Sequence, residues 1–301
     1  MDKNISKLKV SVIIPVYQAV GFLERAVKSA LVQENVQEII LVEDGSIDGS
    51  YELCQQLQEK YPIVQLYTHK GRSNKGQSAS RNLALNYAQG EWIQFLDADD
   101  ELLPDKIKSQ LSKIKQETPF VVGNAIDKFE DGREHQRTHF KDIWEGLFMS
   151  KAGITSANLW NKYYLDLAGG FDAELMTSVE YDLMFRMLQI SEEPAFDDAY
   201  LIYIHMTPNS ICRDNSKQQV RIRNWISLRK RIKEYLESQN RFNKFSYKYF
   251  YSAGIGSYLS NNDQPINSEV NQFHFKVYNL TLGIKKYIFK LLNPTKIKNG
   301  Q

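Results

Sequence analysis

The sequence predicts an α/β protein: a mostly parallel sheet covered by helices on both faces, followed by a C-terminal helical appendage. Three observations carry that expectation. Short apolar runs alternate with helically spaced ones through the first hundred residues, with polar turns bearing Gly or Asp between them. The 301 residues are 42% hydrophobic and 25% charged, enough to bury a large core and to exclude a disordered chain. Charge is unevenly divided: residues 216–301 hold 16 Lys and Arg against 4 Asp and Glu, net +12, whereas residues 1–215 hold 22 against 32, net −10. The expected division is a sheet domain over 1–215 and a basic, aromatic-rich helical appendage over 216–301.

Taken in order, Val10–Val16 is a strand, and Leu23, Ala26, Val27, Ala30 and Leu31 mark a helix within Gly21–Gln33. Glu38–Val42 is a second strand, followed by a turn over 43–50 and a helix over Tyr51–Lys60. Ile63–Tyr67 is a third strand, Gln77–Ala88 a helix that Gly90 terminates, and Trp92–Leu96 a fourth strand. Pro104–Glu117 reads as a helix, Phe120–Asn124 as a strand and Asp131-Gly132 as the turn of an exposed hairpin. The alternation ends there. Residues 144–171 are aromatic and punctuated by Gly, Val179–Ile190 is helical, Ala199–His205 is a strand, and beyond Ser216 the pattern is helical.

No apolar stretch approaches the roughly 20 residues of a membrane-spanning helix, and the opening Met-Asp-Lys-Asn lacks the layout of a signal peptide. A protein of the cytoplasm is expected. Cys54 and Cys212 provide neither metal spacing nor a disulfide framework.

The most informative segment is Glu-Trp-Ile-Gln-Phe-Leu-Asp-Ala-Asp-Asp, residues 91–100, which delivers Asp97, Asp99 and Asp100 to the carboxyl end of a strand. In an extended chain Asp97 and Asp99 point to one side, an arrangement suited to Mg²⁺ or Mn²⁺. Asp100 also fits as an acidic residue before the helix opening at Pro104 and Asp105. Two further loops should share the same crevice: Pro15-Val16-Tyr17-Gln18, and Glu43-Asp44-Gly45-Ser46, whose acceptors suit a base or ribose. Asp48 and Ser50 fit as helix caps. Asn74–Asn82 is a polar loop entering a helix, suited to a nucleotide phosphate or base.

In their order, Val-Ser-Val-Ile-Ile-Pro-Val-Tyr, Glu-Ile-Ile-Leu-Val-Glu-Asp-Gly-Ser-Ile-Asp-Gly-Ser, Asn-Lys-Gly-Gln-Ser-Ala-Ser-Arg-Asn and Phe-Leu-Asp-Ala-Asp-Asp closely resemble the family 2 inverting glycosyltransferases, over residues 9–205. The resemblance implies the GT-A fold, with its Rossmann-like sheet, and a nucleotide-diphospho-sugar donor, a UDP-sugar. It implies that Pro15 and Tyr17 line the nucleotide pocket and that Asp44, with Glu43, binds the base. Lys75, Arg81 and Ala98 join the donor contacts, Asp97 approaches ribose and metal, and Asp99 ligates the metal. His205 is a further candidate for metal or diphosphate, with ordinary packing as the alternative. Trp160 and Asn161 are candidates for an acceptor sugar, with buried packing as the alternative for Trp160.

The chain departs from the family pattern in two places. Glu43 stands where a shorter acidic side chain is usual, leaving base preference open. Gly169-Gly170-Phe171-Asp172 and Val179-Glu180-Tyr181-Asp182-Leu183 resemble the family's Gly-Gly-Phe-Asp and Glu-Asp-Tyr-Asp-Leu segments, with Glu180 in place of the catalytic aspartate. Glu180 and Asp182 project about 200° apart on a helix, so one site hardly uses both. Arg186 offers Asp182 an ordinary helix ion pair, which leaves Glu180 as the candidate base.

The expected activity is a metal-dependent inverting transfer to a hydroxyl acceptor in bacterial cell-surface polysaccharide or glycolipid synthesis. A non-catalytic nucleotide-sugar sensor or assembly subunit is the alternative, and a phospho-aspartate phosphatase is disfavoured by the nucleotide loops. The basic tail fits contact with an anionic membrane, packing over the core, or a homodimer; no nucleic-acid motif accompanies its charge.

Overall fold

The computed structural model describes residues 8–206 and 218–292; Met1–Asn4 and Cys212 lie outside them. The chain divides into two compact units, one comprising Met1–Ile143 and Lys151–Arg221, the other Trp144–Ser150 and Ile222–Gln301.

The first unit is built on a nine-stranded mixed sheet. β1 (Val10–Val16) is buried at every position, as its apolar run requires of a central parallel strand, and its one polar residue, Ser11, donates to Glu38 and accepts the Gly90 N–H. It pairs in parallel with β2 (Val36–Glu43) on one side and β4 (Trp92–Phe95) on the other, and β3 (Val64–Thr68) extends β2. α1 (Leu23–Leu31) buries Leu23, Ala26, Val27 and Ala30 of its predicted stripe, with Leu31 half-buried at its end. α2 (Ser50–Lys60) and α3 (Gln77–Leu85) complete the alternation. Cys54 is buried on α2, and burial pushes its thiol up to about 12, which leaves it an inert core residue. Gly90 serves close approach rather than helix termination: a Cβ there would lie 2.5 Å from the Ser11 nitrogen.

Past β4 the pairing becomes mixed. β8 (Leu159–Asn161) runs antiparallel to β4 and to β6 (Phe120–Phe129), and β6 lies parallel to β9 (Ala195–Met206). The two-residue β5 (Glu101–Leu102) closes that edge against β9. The hairpin predicted at Asp131-Gly132 is present, joining β6 to β7 (Glu134–Arg137). α4 is shorter than predicted, Lys106–Leu111, because Asp105 adopts φ +63° before it and the chain breaks into turns after Ser112. α5 (Ile143–Met149), α6 (Lys162–Leu167) and α7 (Val179–Leu188) follow.

The second unit contains α8 (Gln218–Ser238) from Ile222 onward, α9 (Phe245–Asn261) and α10 (Gln272–Leu292). Trp144–Ser150 belongs with it although charge alone assigns that stretch to the first. Phe148 packs edge-on against Tyr251 at 5.5 Å, and Gly254 admits the Phe148 carbonyl where a Cβ would lie 2.3 Å away. Trp225 stacks on Tyr258 at 4.1 Å and, with Arg229, bonds to Ser150 Oγ. Among the described residues no helix is long and apolar enough to cross a membrane.

Candidate active site

The chain runs from β1 to β2 to β3 on one side, then returns to β4 on the other side of β1. Loops leaving the carboxyl ends of β1 and β4 therefore part in opposite directions, the position where open α/β sheets bind ligands. Four loops follow the strand ends there.

The first follows β1. Pro15 is buried in the strand opposite Val42, while Tyr17, just beyond, is 43% exposed and presents its ring to solvent. Gln18 (φ +51°) donates its N–H to Ser46 Oγ at 3.1 Å, Ala19 to Ser50 Oγ at 2.8 Å and Val20 to Asp48 Oδ2 at 3.1 Å. Asp48 and Ser50 thus fasten the first loop to the second. Their capping role is partial: Asp48 Oδ1 accepts the Ser50 N–H at 3.1 Å, while the N-cap position itself is Gly49, without a side-chain cap.

Glu43 and Asp44 close β2. Asp44 is buried, and its two oxygens accept the backbone N–H groups of Lys75 at 2.7 Å and Gly76 at 2.8 Å. Lys75 therefore meets the acidic pair through its main chain, its side chain being exposed. Glu43 is fully buried, accepts the Ser46 N–H, and takes a bond from Arg72 Nε at 3.2 Å. Arg72, which the sequence reading did not single out, lies over the Tyr51 ring at 3.8 Å. Gly45 (φ +78°) is required by the same junction, since a Cβ there would sit 2.7 Å from the Arg72 carbonyl oxygen.

The chain is not extended through the Asp-Ala-Asp segment, contrary to expectation. The Asp100 N–H bonds to the Asp97 carbonyl at 3.0 Å, closing a turn over Ala98 and Asp99. Asp97 Oδ1 accepts Arg81 Nη2 at 2.6 Å and Gln77 Nε2 at 2.7 Å. Asp99 lies beside Arg25, whose Nη2 donates to the Asp99 carbonyl at 2.6 Å. Burial, and then the neighbouring Asp97 charge, raise the Asp99 carboxyl above the usual range. Asp100 caps no helix. It is buried, bonded by Ser156 and the His205 N–H, and pushed well up by burial and by Asp97 and Asp99. The Ala98 side chain joins the core.

His205 stands on β9 with Nε2 3.3 Å from Glu101 Oε2. Burial and Arg25 lower its proton affinity, so the neutral ring, able to ligate, is favoured. Among the described residues no group of three or more His, Cys, Asp or Glu forms a metal cage. The donor chemistry nevertheless fits a hard cation. Asp97 and Asp99 would supply carboxylate oxygens to Mg²⁺, and the Asp99 carboxyl is raised first by burial and then by the Asp97 charge, which a bound cation would offset.

Arg81 is buried on α3 against the Phe171 ring, 5.2 Å from its centroid. The next residue, Asn82, clamps Phe171: Nδ2 donates to its carbonyl at 2.7 Å and Oδ1 accepts its N–H at 2.8 Å. Gly170 (φ +69°) lacks a Cβ that would lie 2.7 Å from Asn82 Oδ1. α7 then starts after Ser178 (φ +59°). Glu180 lies in its first turn, half-buried, whereas Asp182 is buried and bonded by Arg186 Nε at 2.8 Å, as the sequence spacing suggested. Trp160 is fully buried and bonded to the Thr155 carbonyl at 3.2 Å, so packing is its role. Asn161 caps α6, accepting the Tyr163 N–H at 3.1 Å.

Known proteins resemble the chain in sequence and in fold. A processive diacylglycerol beta-glycosyltransferase of Mycoplasma pneumoniae is 34% identical over 120 residues, 39% of this chain and 35% of the relative. A cholesterol galactosyltransferase of Borreliella burgdorferi is 34% identical over 123 residues, 40% of this chain and 34% of the relative. The aligned stretches span between 10% and 42% of the length of further curated relatives. S. aureus TarS (1–349) in complex with UDP-GlcNAc superposes with TM-score 0.62 at 17% identity, covering 84% of this chain and 73% of that one, and shares its GT-A fold. The model of Glycosyl transferase family 2 matches residues 11–170, more than half the chain, and the protein belongs to that family.

Proposed function

We propose that the chain transfers a sugar, with inversion, from a nucleotide-diphospho-sugar to a hydroxyl acceptor in bacterial cell-surface glycolipid or polysaccharide synthesis, on the cytoplasmic side. The observation that carries this reading is the meeting of Asp44, Arg81 and Asp97 at the switch point, where α3 and the loop before it tie both acidic loops together. A UDP-sugar is the proposed donor, supported by the TarS complex and by the exposed Tyr17 ring beside the Asp44 loop. The lipid acceptors in the names of two relatives support a lipid-linked acceptor.

Asp97 and Asp99, with His205 nearby, would hold Mg²⁺ or Mn²⁺, which supplies positive charge against the leaving diphosphate. Arg81 orients Asp97, and Arg25 fixes the Asp99 main chain. Glu180 is the proposed general base, taking the acceptor hydroxyl proton as that oxygen attacks the anomeric carbon from the face opposite the nucleotide. Asp182, committed to Arg186, is assigned to holding α7.

The test is calorimetry with a panel of nucleotide-sugars, with and without Mn²⁺, followed by assay of the tightest ligand for nucleotide release. Metal-dependent binding of one donor with release is the expected result. Binding without release, even with acceptor lipids present, would favour a nucleotide-sugar sensor, the reading kept open by Glu180 at the usual aspartate position. No binding by any donor would overturn both.

A further inference from the structure

α10 presents an apolar stripe that no part of the described chain covers. Phe273, Leu280, Ile284, Tyr287 and Ile288 are between 47% and 66% exposed, and their spacing places them on one side of the helix. The other side is already used. Phe275 packs on Gly256, where a Cβ would lie 2.6 Å from the ring, Tyr278 meets Tyr249 at 6.0 Å, and His274 meets Phe245 at 5.2 Å. The stripe is therefore not the helix's core-facing side turned outward.

Charge selects what covers it. Lys276 and Lys285 are exposed on the same helix, and after Glu269 the sequence carries six lysines and no acidic residue. A second copy of this chain paired through the stripe would set one basic helix with no acidic residue against another, a repulsive pairing. An anionic bilayer complements both features: its headgroups attract the lysines, and its interface accepts Leu, Ile, Phe and Tyr side chains to a shallow depth. Since no described helix can span a bilayer, α10 would lie in the plane of the interface. We propose that α10 is a membrane-docking helix that recognises an anionic lipid surface through Phe273, Leu280, Ile284, Tyr287 and Ile288, with Lys276 and Lys285 reading the charge. Such docking brings the enzyme to lipid-linked acceptors, yet it stands apart from donor binding and is tested without it.

The test is flotation of the full chain with vesicles of phosphatidylcholine alone and of phosphatidylcholine mixed with phosphatidylglycerol. Wild type is expected to float with the mixed vesicles, less so as salt rises, and to stay behind with neutral ones. Leu280→Glu combined with Ile284→Glu should lower the bound fraction at least about tenfold, because two exposed apolar anchors are lost. Lys276→Glu with Lys285→Glu should abolish the preference for anionic vesicles. All four positions are exposed, so the melting temperature and nucleotide-sugar binding should match wild type, which separates failure of docking from failure of the donor-site reading. Equal binding to both vesicle types, no binding, or unchanged binding by the Glu variants would overturn the proposal. So would a wild-type dimer that Leu280→Glu with Ile284→Glu converts to a monomer, assigning the stripe to a second copy.

Discussion

The guanidinium of Arg81, with 2% of its side chain exposed, meets the Asp97 carboxylate, 33% exposed, at 2.6 Å. A buried cation and a carboxylate open to the crevice share one bond, so the pair is part of the core on one side and part of the site on the other. Asp97→Asn leaves the Arg81 charge without its counterion. Stability should fall by about 1–3 kcal/mol, less than for a fully buried pair, and donor affinity should fall with it. Thermal melts and donor titration check both, and an unchanged melting temperature would sink the structural half.

Asp44→Asn should act through a loop. Both carboxylate oxygens accept backbone N–H groups, and an amide nitrogen in place of one would face the N–H of Lys75 or Gly76. Charge-assisted bonds of this kind contribute on the order of 1.5–3 kcal/mol. Faster amide exchange at Lys75 and Gly76 and weaker nucleotide-sugar binding are expected. Unaltered exchange there would show that the loop is held by something else.

Glu180→Gln and Asp182→Asn should separate chemistry from scaffolding. With Glu180 as the base, kcat should drop by about 10² to 10⁴-fold with donor Kd nearly unchanged. Asp182→Asn weakens a buried ion pair and should lower the melting temperature. A larger kcat loss in the Asp182 variant than in the Glu180 variant would reverse the assignment.

Lys106 is fully buried, bonded to Gln94 Oε1 and, at 3.4 Å, to the Asn158 carbonyl. Burial holds its ammonium well below the usual lysine range. The unfolded chain then binds a proton that the folded lysine lacks, up to the unfolded value of about 10.4. Stability should accordingly rise with pH between the depressed folded value and about 10.4. Lys106→Met removes this contribution, so the stability of wild type minus variant should grow as the pH rises toward about 10. Denaturant titrations of the two proteins across that range decide it, and parallel pH profiles would mean that the folded lysine stays charged.

What could be read in advance was what lies contiguous in the chain. The strand ends at Val16, Glu43 and Phe95 and the acidic turns beyond them announce themselves by local apolar runs and local composition. What could not be read were the residues that hold those turns in place. Arg25 reaches Asp99 across 74 positions, and Asn82 reaches Phe171 across 89. Nothing near Asn82 or Arg25 in sequence hints at the partner. The Asp97–Asp100 turn was missed for a related reason: extended geometry is the default after a strand, and here the Asp100 carboxylate is drawn inward by Ser156 and the His205 N–H. Beyond β4, short strands such as β8 carry too few residues for a period to show.

Asn82 and Arg81 are neighbours on α3, and Gly76 precedes the same helix; together they are bonded to Phe171, Asp97 and Asp44. The helix is a yoke. Segments from three distant stretches of the chain are fastened to one helix, so whatever shifts α3 shifts the Asp44 turn, the Asp97 turn and the Gly-Gly-Phe-Asp segment together.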